Sequence, residues 1–366
     1  MACDVLPSTP MKLLMQPGDS VAPLVRAIEG AKSSVEILIF RFDRGELERA
    51  LVDAAKRGVF VHALIAYTNR GGEKNLRDLE MRLLAAGVTV ARTADNLIRY
   101  HAKLIIIDRR ELYLLGFNFT YIDMEHSRSF GLVVKNRRII QEAVKLFEAD
   151  TKRQAYHAAL PSFVVSPLNA RKELSKFIKG AKKRLLIYDP KISDAQMLQL
   201  LEARAKAGVE VRVIGCVESN RASFAVRKMV RLRLHTRTIL RDSERIFLGS
   251  QSLRAPELDQ RREVGLIFRE RKIAAVLQQQ FEGDWETAEP VEMKLAVSGP
   301  VSRVAKKLAK KVANKLPAVG PLLEQVVGKN LAVDRKKVEE SVKAAVKEAV
   351  QEAVEDAVEP QPRSAA

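Results

Sequence analysis

Two short segments of the chain carry the same residue types at the same spacing. His101 and Lys103 lie two apart, with Asp108 seven residues after the His and Asn118 seventeen after it. His235 and Arg237 repeat the pair, with Asp242 and Ser252 at the same offsets. A single His-x-Lys means little, because a lone His is more often structural than reactive. Two register-matched copies mean more in a chain with only five His. Two related halves facing each other across a pseudo-twofold axis can bring two imidazoles to one cleft. One would attack phosphorus as a nucleophile, and the other would give a proton to the leaving oxygen. Neutral imidazole is abundant near pH 7, which suits the first role. Lys103 and Arg237 would hold the non-bridging oxygens, with Asn118 and Ser252 adding hydrogen bonds. Asp108 and Asp242 end apolar runs, where a supporting role at the site competes with a structural role in the turn.

The elements needed to position these residues are legible as a repeat. SVEILIF, GELERALVDAAKRG and VFVHALIA in the first copy match RLLIYDP, DAQMLQLLEARAKAG and VEVRVIG in the second. Each is a buried apolar run, an amphipathic helix ending in Gly and a β-branched run, the pattern of a β–α–β unit. Gly58 and Gly208 fall at matching C-cap positions, which favour a residue tolerant of positive φ. Residues 100–120 then parallel 234–254, and 127–136 parallel 261–270. The spacing predicts His101 and Lys103 on one face of a strand, with Ala102 and Leu104 on the other. The expected fold class is α/β. Two repeated units, each a mixed sheet flanked by helices, form a pseudo-dimer over 1–155 and 156–288, and 289–366 form a helical tail.

With 63 Lys and Arg against 45 Asp and Glu, the chain carries a formal net charge of +18, which suggests an anionic partner without choosing among phospholipid, nucleic acid and nothing specific. At 47 % hydrophobic it can build a core, so general disorder is excluded. Aromatics at 5 % are thin for stacking on single-stranded bases. Two cysteines cannot make a disulfide framework, and no Cys/His cluster supports a metal site. No apolar run is long enough for a membrane span, and the N-terminus is a poor signal peptide. The expected location is cytoplasmic, or peripheral at the inner face of the membrane. Seven basic residues and no acid between Arg221 and Arg241 lead into His235 and suggest an anion-guiding rim. Residues 302–316 set Val304, Leu308, Val312 and Leu316 on one helical face with lysines elsewhere, which fits a helix on an anionic membrane and equally a helix packed on the catalytic body or a partly disordered tail. His62, His126 and His157 have no partner motif and read as structural or surface residues. Cys216 follows a buried strand and is expected in the core, and Trp285 is expected to pack the end of the second unit.

On these residues the sequence resembles the phospholipase D superfamily, whose pattern is H-x-K-x4-D-x6-G-S-x-N, usually present twice, with Glu following. The resemblance covers about residues 11–285. It implies a covalent phosphohistidine on one His, proton donation by the other and no required metal or other cofactor. Gly249, Ser250 and Glu263 match the pattern in the second copy. The first copy has Leu115-Gly116 at the G-S pair and Ser129 at the Glu position. Arg237 replaces Lys and Ser252 replaces Asn in the second. A carboxylate beside a His favours its charged form. If Glu263 faces His235, then His235 is the acid and His101 the nucleophile. The implied activity is that of a phosphodiesterase or phosphatidyltransferase, of the cardiolipin-synthase-like kind, with a phospholipid substrate. The alternatives are a nuclease of the same superfamily and a degenerate, non-catalytic binder of anionic lipid or nucleic acid.

Overall fold

The computed structural model describes residues 11–67, 73–218 and 222–291. Arg221 of the basic run and the whole of 302–316 lie outside the described residues. Met1–Glu292 form one compact unit.

The first half runs β1 (Lys12–Gln16), α1 (Ala22–Gly30), β2 (Ser34–Ile39), α2 (Gly45–Lys56), β3 (Phe60–Ile65), α3 (Glu73–Ala85), β4 (Thr89–Arg92), β5 (Arg99–Tyr100), β6 (Leu104–Ile107), β7 (Glu111–Leu115), α4 (Tyr121–Glu125), β8 (Ser127–Val134) and α5 (Arg137–Lys152). The second half runs β9 (Phe163–Val165), α6 (Ala170–Lys179), β10 (Arg184–Ile192), α7 (Ala195–Lys206), β11 (Glu210–Val217), β12 (Ala225–Lys228), β13 (Arg233–Leu234), β14 (Arg237–Arg241), β15 (Arg245–Gly249), α8 (Ala255–Asp259), β16 (Arg261–Arg262), β17 (Val264–Arg269), α9 (Arg271–Thr287) and β18 (Glu289–Pro290).

The two sheets follow one path. The first has the order β1-β8-β7-β6-β2-β3-β4, and the second β9-β17-β15-β14-β10-β11-β12 with β18 beyond. Parallel β2–β3 and β10–β11 pairs abut antiparallel β6 and β14, so both sheets are mixed, as the repeat implies. Gly58 and Gly208 both take φ +83° behind α2 and α7, where a side chain would be strained.

Strand alternation divides the core. Leu104 and Ile106 of β6 enter a core that also holds Phe130, Tyr188, Leu240, Leu266 and the apolar faces of α5 and α9, and so joins the two halves. Ile105 and Ile107 point to the other face, into a core made from the first half alone, with side chains from α1, α2 and α3. Trp285 packs on the joint core as expected, stacked on Phe281 at 5.7 Å. Cys216 does not join either core; it is exposed near the end of β11.

The halves also exchange strands. β13 of the second half pairs in parallel with the start of β8, and β5 of the first pairs in parallel with β16. These two short clasps deliver the His residues.

Candidate active site

His101 and Lys103 stand in extended chain between β5 and β6, ahead of the strand rather than on it. Both are buried. The His101 N–H donates to the Arg262 carbonyl at 2.8 Å, and the His235 N–H donates to the Arg128 carbonyl at 3.1 Å. The two bonds are counterparts under the repeat, so each His loop is anchored on the opposite half. The residue after the first acceptor is thereby brought to the His101 imidazole. After Arg262 comes Glu263, and after Arg128 comes Ser129.

This crossing corrects one expectation, and with it goes the sequence-based ground for reading His235 as the acid and His101 as the nucleophile. Glu263 does not face His235; its Oε2 lies 2.9 Å from His101 Nδ1, and its side chain is fully buried. Sequence proximity placed it with the His of its own half, but the clasp carries it across. Burial, then the charge on Lys103, pushes the His101 imidazole well below its ordinary value. A neutral ring that donates from Nδ1 to Glu263 keeps its lone pair at Nε2. Lys103 Nζ sits 2.9 Å from both ring nitrogens, and the Phe40 ring meets His101 edge-on with centroids 4.4 Å apart. Burial brings the Lys103 ammonium down to about 7, with Glu263 opposing the shift. Burial also raises the Glu263 carboxyl, against the pull of Lys103 and Arg261.

His235 is buried as well, and burial, then Arg237 and Arg233, pushes its imidazole well below the ordinary value. Arg237 donates from Nε to Ser252 Oγ at 3.2 Å and from Nη1 to the His235 carbonyl at 2.6 Å. Ser252 in turn bonds Asp189. Burial raises that carboxyl to about 6, although the Leu253 and Lys191 N–H groups stabilise its charge. Ser250 works on the backbone: its Oγ accepts from the Val264 N–H at 3.1 Å and so fixes the strand behind Glu263. Asn118 donates from Nδ2 to Asp123 at 2.7 Å.

The two motif turns touch. A Cβ placed on Gly116 would lie 2.8 Å from the Phe130 carbonyl oxygen and 3.2 Å from that of Gly249. The first half has therefore closed over the position where Ser250 stands in the second. Glu263 Oε1, Asn118 Oδ1, Ser129 Oγ and His235 Nδ1 are buried with no hydrogen-bond partner among the described residues. Buried polar atoms are rarely left so, and these four belong to residues of the two motifs.

Asp108 and Asp242 are not brought to the imidazoles. Each ends its strand in a left-handed turn, at φ +51° and +54°. Asp108 accepts from the N–H groups of Lys32, Ser33 and Ser34, and Asp242 from those of Lys182, Lys183 and Arg184. They are clips that tie the hairpin to the neighbouring strand. Partial burial would raise the Asp108 pKa, but the three backbone donors outweigh it and bring it to about 2. A folded pKa below the unfolded one, about 3.8, gives stability that is complete above that value and lost as pH falls through 2. The melting temperature of Asp108→Asn should therefore lie below that of the unmodified chain at pH 6, with the gap closing toward pH 2. A gap that does not change with pH would reject this role.

The basic run also divides. Arg227 lies over the Trp285 ring and donates to its carbonyl, and Arg241 donates to the Phe177 carbonyl. Both hold structure, so among the described residues the expected rim shrinks to Lys228, Arg231, Arg233 and Arg237. His62 packs edge-on against Phe60 and Phe147, His126 against Tyr121, and His157 is exposed. Sequence reasoning missed Asp189 and Asp123. An acid closing an otherwise apolar strand was the signal for the first. For the second it was an acid five residues past Asn118, matched by Glu257 five past Ser252.

Comparison with known proteins shows the family and the fold. A family model described as cardiolipin synthase, PLD-like domain, matches residues 24–151 and 174–285. A polyphosphate kinase of Pseudomonas putida is 23 % identical over 74 % of this chain and 42 % of its own length. A mitochondrial cardiolipin hydrolase of Danio rerio is 26 % identical over 36 % of this chain and 58 % of its own. The chain thus spans under two thirds of the curated relatives it matches. The crystal structure of a phosphatidylserine synthase from Haemophilus influenzae superposes with a TM-score of 0.64 at 12 % identity, over 85 % of this chain and 95 % of that one. Among the described residues, no helix is long and apolar enough to cross a membrane.

Proposed function

The chain belongs to the cardiolipin synthase type of phospholipase D-like family, and from that premise we propose that it is a phosphodiesterase or phosphatidyltransferase acting on phospholipid through a phosphohistidine. The observation that carries this reading is the pair of buried imidazoles, each hung on the opposite half, with Glu263 2.9 Å from His101. Glu263 holds Nδ1–H, and His101 Nε2 attacks phosphorus. The bond to the leaving oxygen breaks as His235 gives that oxygen its proton. His235 then takes a proton from water or an alcohol, whose oxygen displaces His101 and completes hydrolysis or transfer. Lys103 and Arg237 offset the charge on the non-bridging oxygens. Arg keeps the charge of the family Lys but spreads it over a fork, which suits two oxygens at once. The mitochondrial cardiolipin hydrolase and the phosphatidylserine synthase support a lipid substrate, and the basic, amphipathic segment 302–316 fits an anionic bilayer.

Acid-stable quenching is unsuitable for a phosphohistidine, so the test uses alkaline quench and peptide mass spectrometry. Phosphatidylglycerol labelled at phosphorus should leave its label on His101, and His235→Ala should not move it. Label on His235 would reverse the assignment. Single- and double-stranded DNA in parallel test the nuclease alternative, and binding without turnover would favour the non-catalytic one. A second reading, transfer of phosphoryl groups from a condensed phosphate, is supported by the Pseudomonas putida relative, which matches across both halves. It predicts label from polyphosphate and none from lipid.

A further inference from the structure

The second imidazole lacks the acid that the first one has. Ser129 stands where Glu263 stands for His101, and its hydroxyl is buried without a partner. A carboxylate nevertheless faces His235 from another element. Asp123 of α4 is buried, with Oδ2 3.4 Å from His235 Nδ1. Its orientation is fixed on both oxygens. The Asn118 backbone N–H and side-chain amide both donate to Oδ2 at 2.7 Å, and Arg233 donates to Oδ1 at 2.7 Å. Arg233 belongs to the clasp strand that delivers His235, so acid and imidazole are placed by connected parts.

We propose that Asp123 is the positioning residue for His235, holding Nδ1–H and sustaining the imidazolium in place of the acid missing at 129. The inference rests on the reading of His235 as general acid. The charged groups facing the ring are Arg237 of β14, Arg233 of β13, Lys103 with His101 of the loop before β6, and Asp123 of α4. Burial and the cations drive the proton off His235, and Asp123 is the anion in that set. A general acid must keep its proton until the leaving oxygen takes it. The separation of 3.4 Å exceeds a hydrogen bond by a few tenths of an ångström, and catalytic hydrogen bonds often tighten when substrate binds. The counterpart in the second half, Glu257, turns away to Arg261 and Arg254 and leaves His101 to Glu263. The two halves thus recruit their acids from different elements.

A general acid matters in proportion to the basicity of the oxygen that leaves. Asp123→Asn should slow the first step, formation of the phosphoenzyme read as a burst, about 100-fold on a phosphodiester with an alkoxide leaving group, and less than about threefold on its p-nitrophenyl counterpart. Asp123→Glu should recover part of the first loss. Equal losses on the two esters would make Asp123 a scaffold residue and overturn the proposal, and melting curves separate lost folding from lost chemistry. If the unmodified chain cleaves neither ester, the phosphodiesterase reading fails by itself. Titration of the His235 ring by long-range proton–nitrogen NMR then decides on Asp123. Its pKa should be lower in Asp123→Asn, and an unchanged titration rejects the contact.

Discussion

His101→Ala should abolish turnover of every phosphodiester the protein accepts, with kcat down by about 10⁴-fold or more. The expectation follows from where His101 sits rather than from its being a His. Its Nδ1 is engaged by Glu263, and Nε2, now 2.9 Å from Lys103 Nζ, becomes the nitrogen that bonds phosphorus when Lys103 turns to the phosphate oxygens. No other described side chain offers a second nucleophile in that position, so a good leaving group cannot rescue the loss. His235→Ala should behave differently: it removes the proton donor of the first step and the base of the second, so p-nitrophenyl esters should keep the burst that forms the phosphoenzyme, which alkyl esters lose, while steady turnover of both falls. The double variant should be little worse than His101→Ala alone, because residues acting in one sequence of steps are not additive. Rates on alkyl and p-nitrophenyl esters for the three variants check this. A p-nitrophenyl ester that survives His101→Ala but not His235→Ala would exchange the two roles.

The largest effect on stability is expected behind the site. Arg262 donates to Asp150 at 3.0 and 3.1 Å and to the Ser166 carbonyl at 3.1 Å, with both side chains buried. The Arg262 carbonyl is the anchor of His101. Asp150→Ala strands the guanidinium without its counter-charge, and losing one member of a buried pair costs about 3–5 kcal/mol. That is a large part of the 5–15 kcal/mol typical of a folded domain. Replacing both members, Asp150→Leu with Arg262→Met, should cost less than the single change, because no buried charge is left over. Urea unfolding monitored by circular dichroism measures both. A double variant less stable than the single one would show that the pair contributes net attraction.

The fold was legible in sequence because duplication repeats spacing, and spacing survives when residues change. Gly58 with Gly208 and His101 with His235 kept register where their neighbours diverged. What was not legible was which half each side chain serves. Glu263 lies 28 residues from His235 and 162 from His101, yet it meets the distant one. Only the pairing of β5 with β16 decides that, and two-residue strands have no periodicity to read. Asp108 and Asp242 were ambiguous because a carboxylate beside a turn looks the same whether it binds backbone or substrate. Asp123 was missed because it lies outside the pattern that drew attention to its neighbours.

The crossed clasps also bear on how the protein is made. A nascent chain emerging from the ribosome holds His101 long before the segment around Glu263 has been translated. Until β16 arrives, the His101 loop has neither its backbone anchor nor its carboxylate. A truncated or stalled product would carry the nucleophile without the means to orient it. The His101 site is thus assembled only with a second half that has been completed and folded.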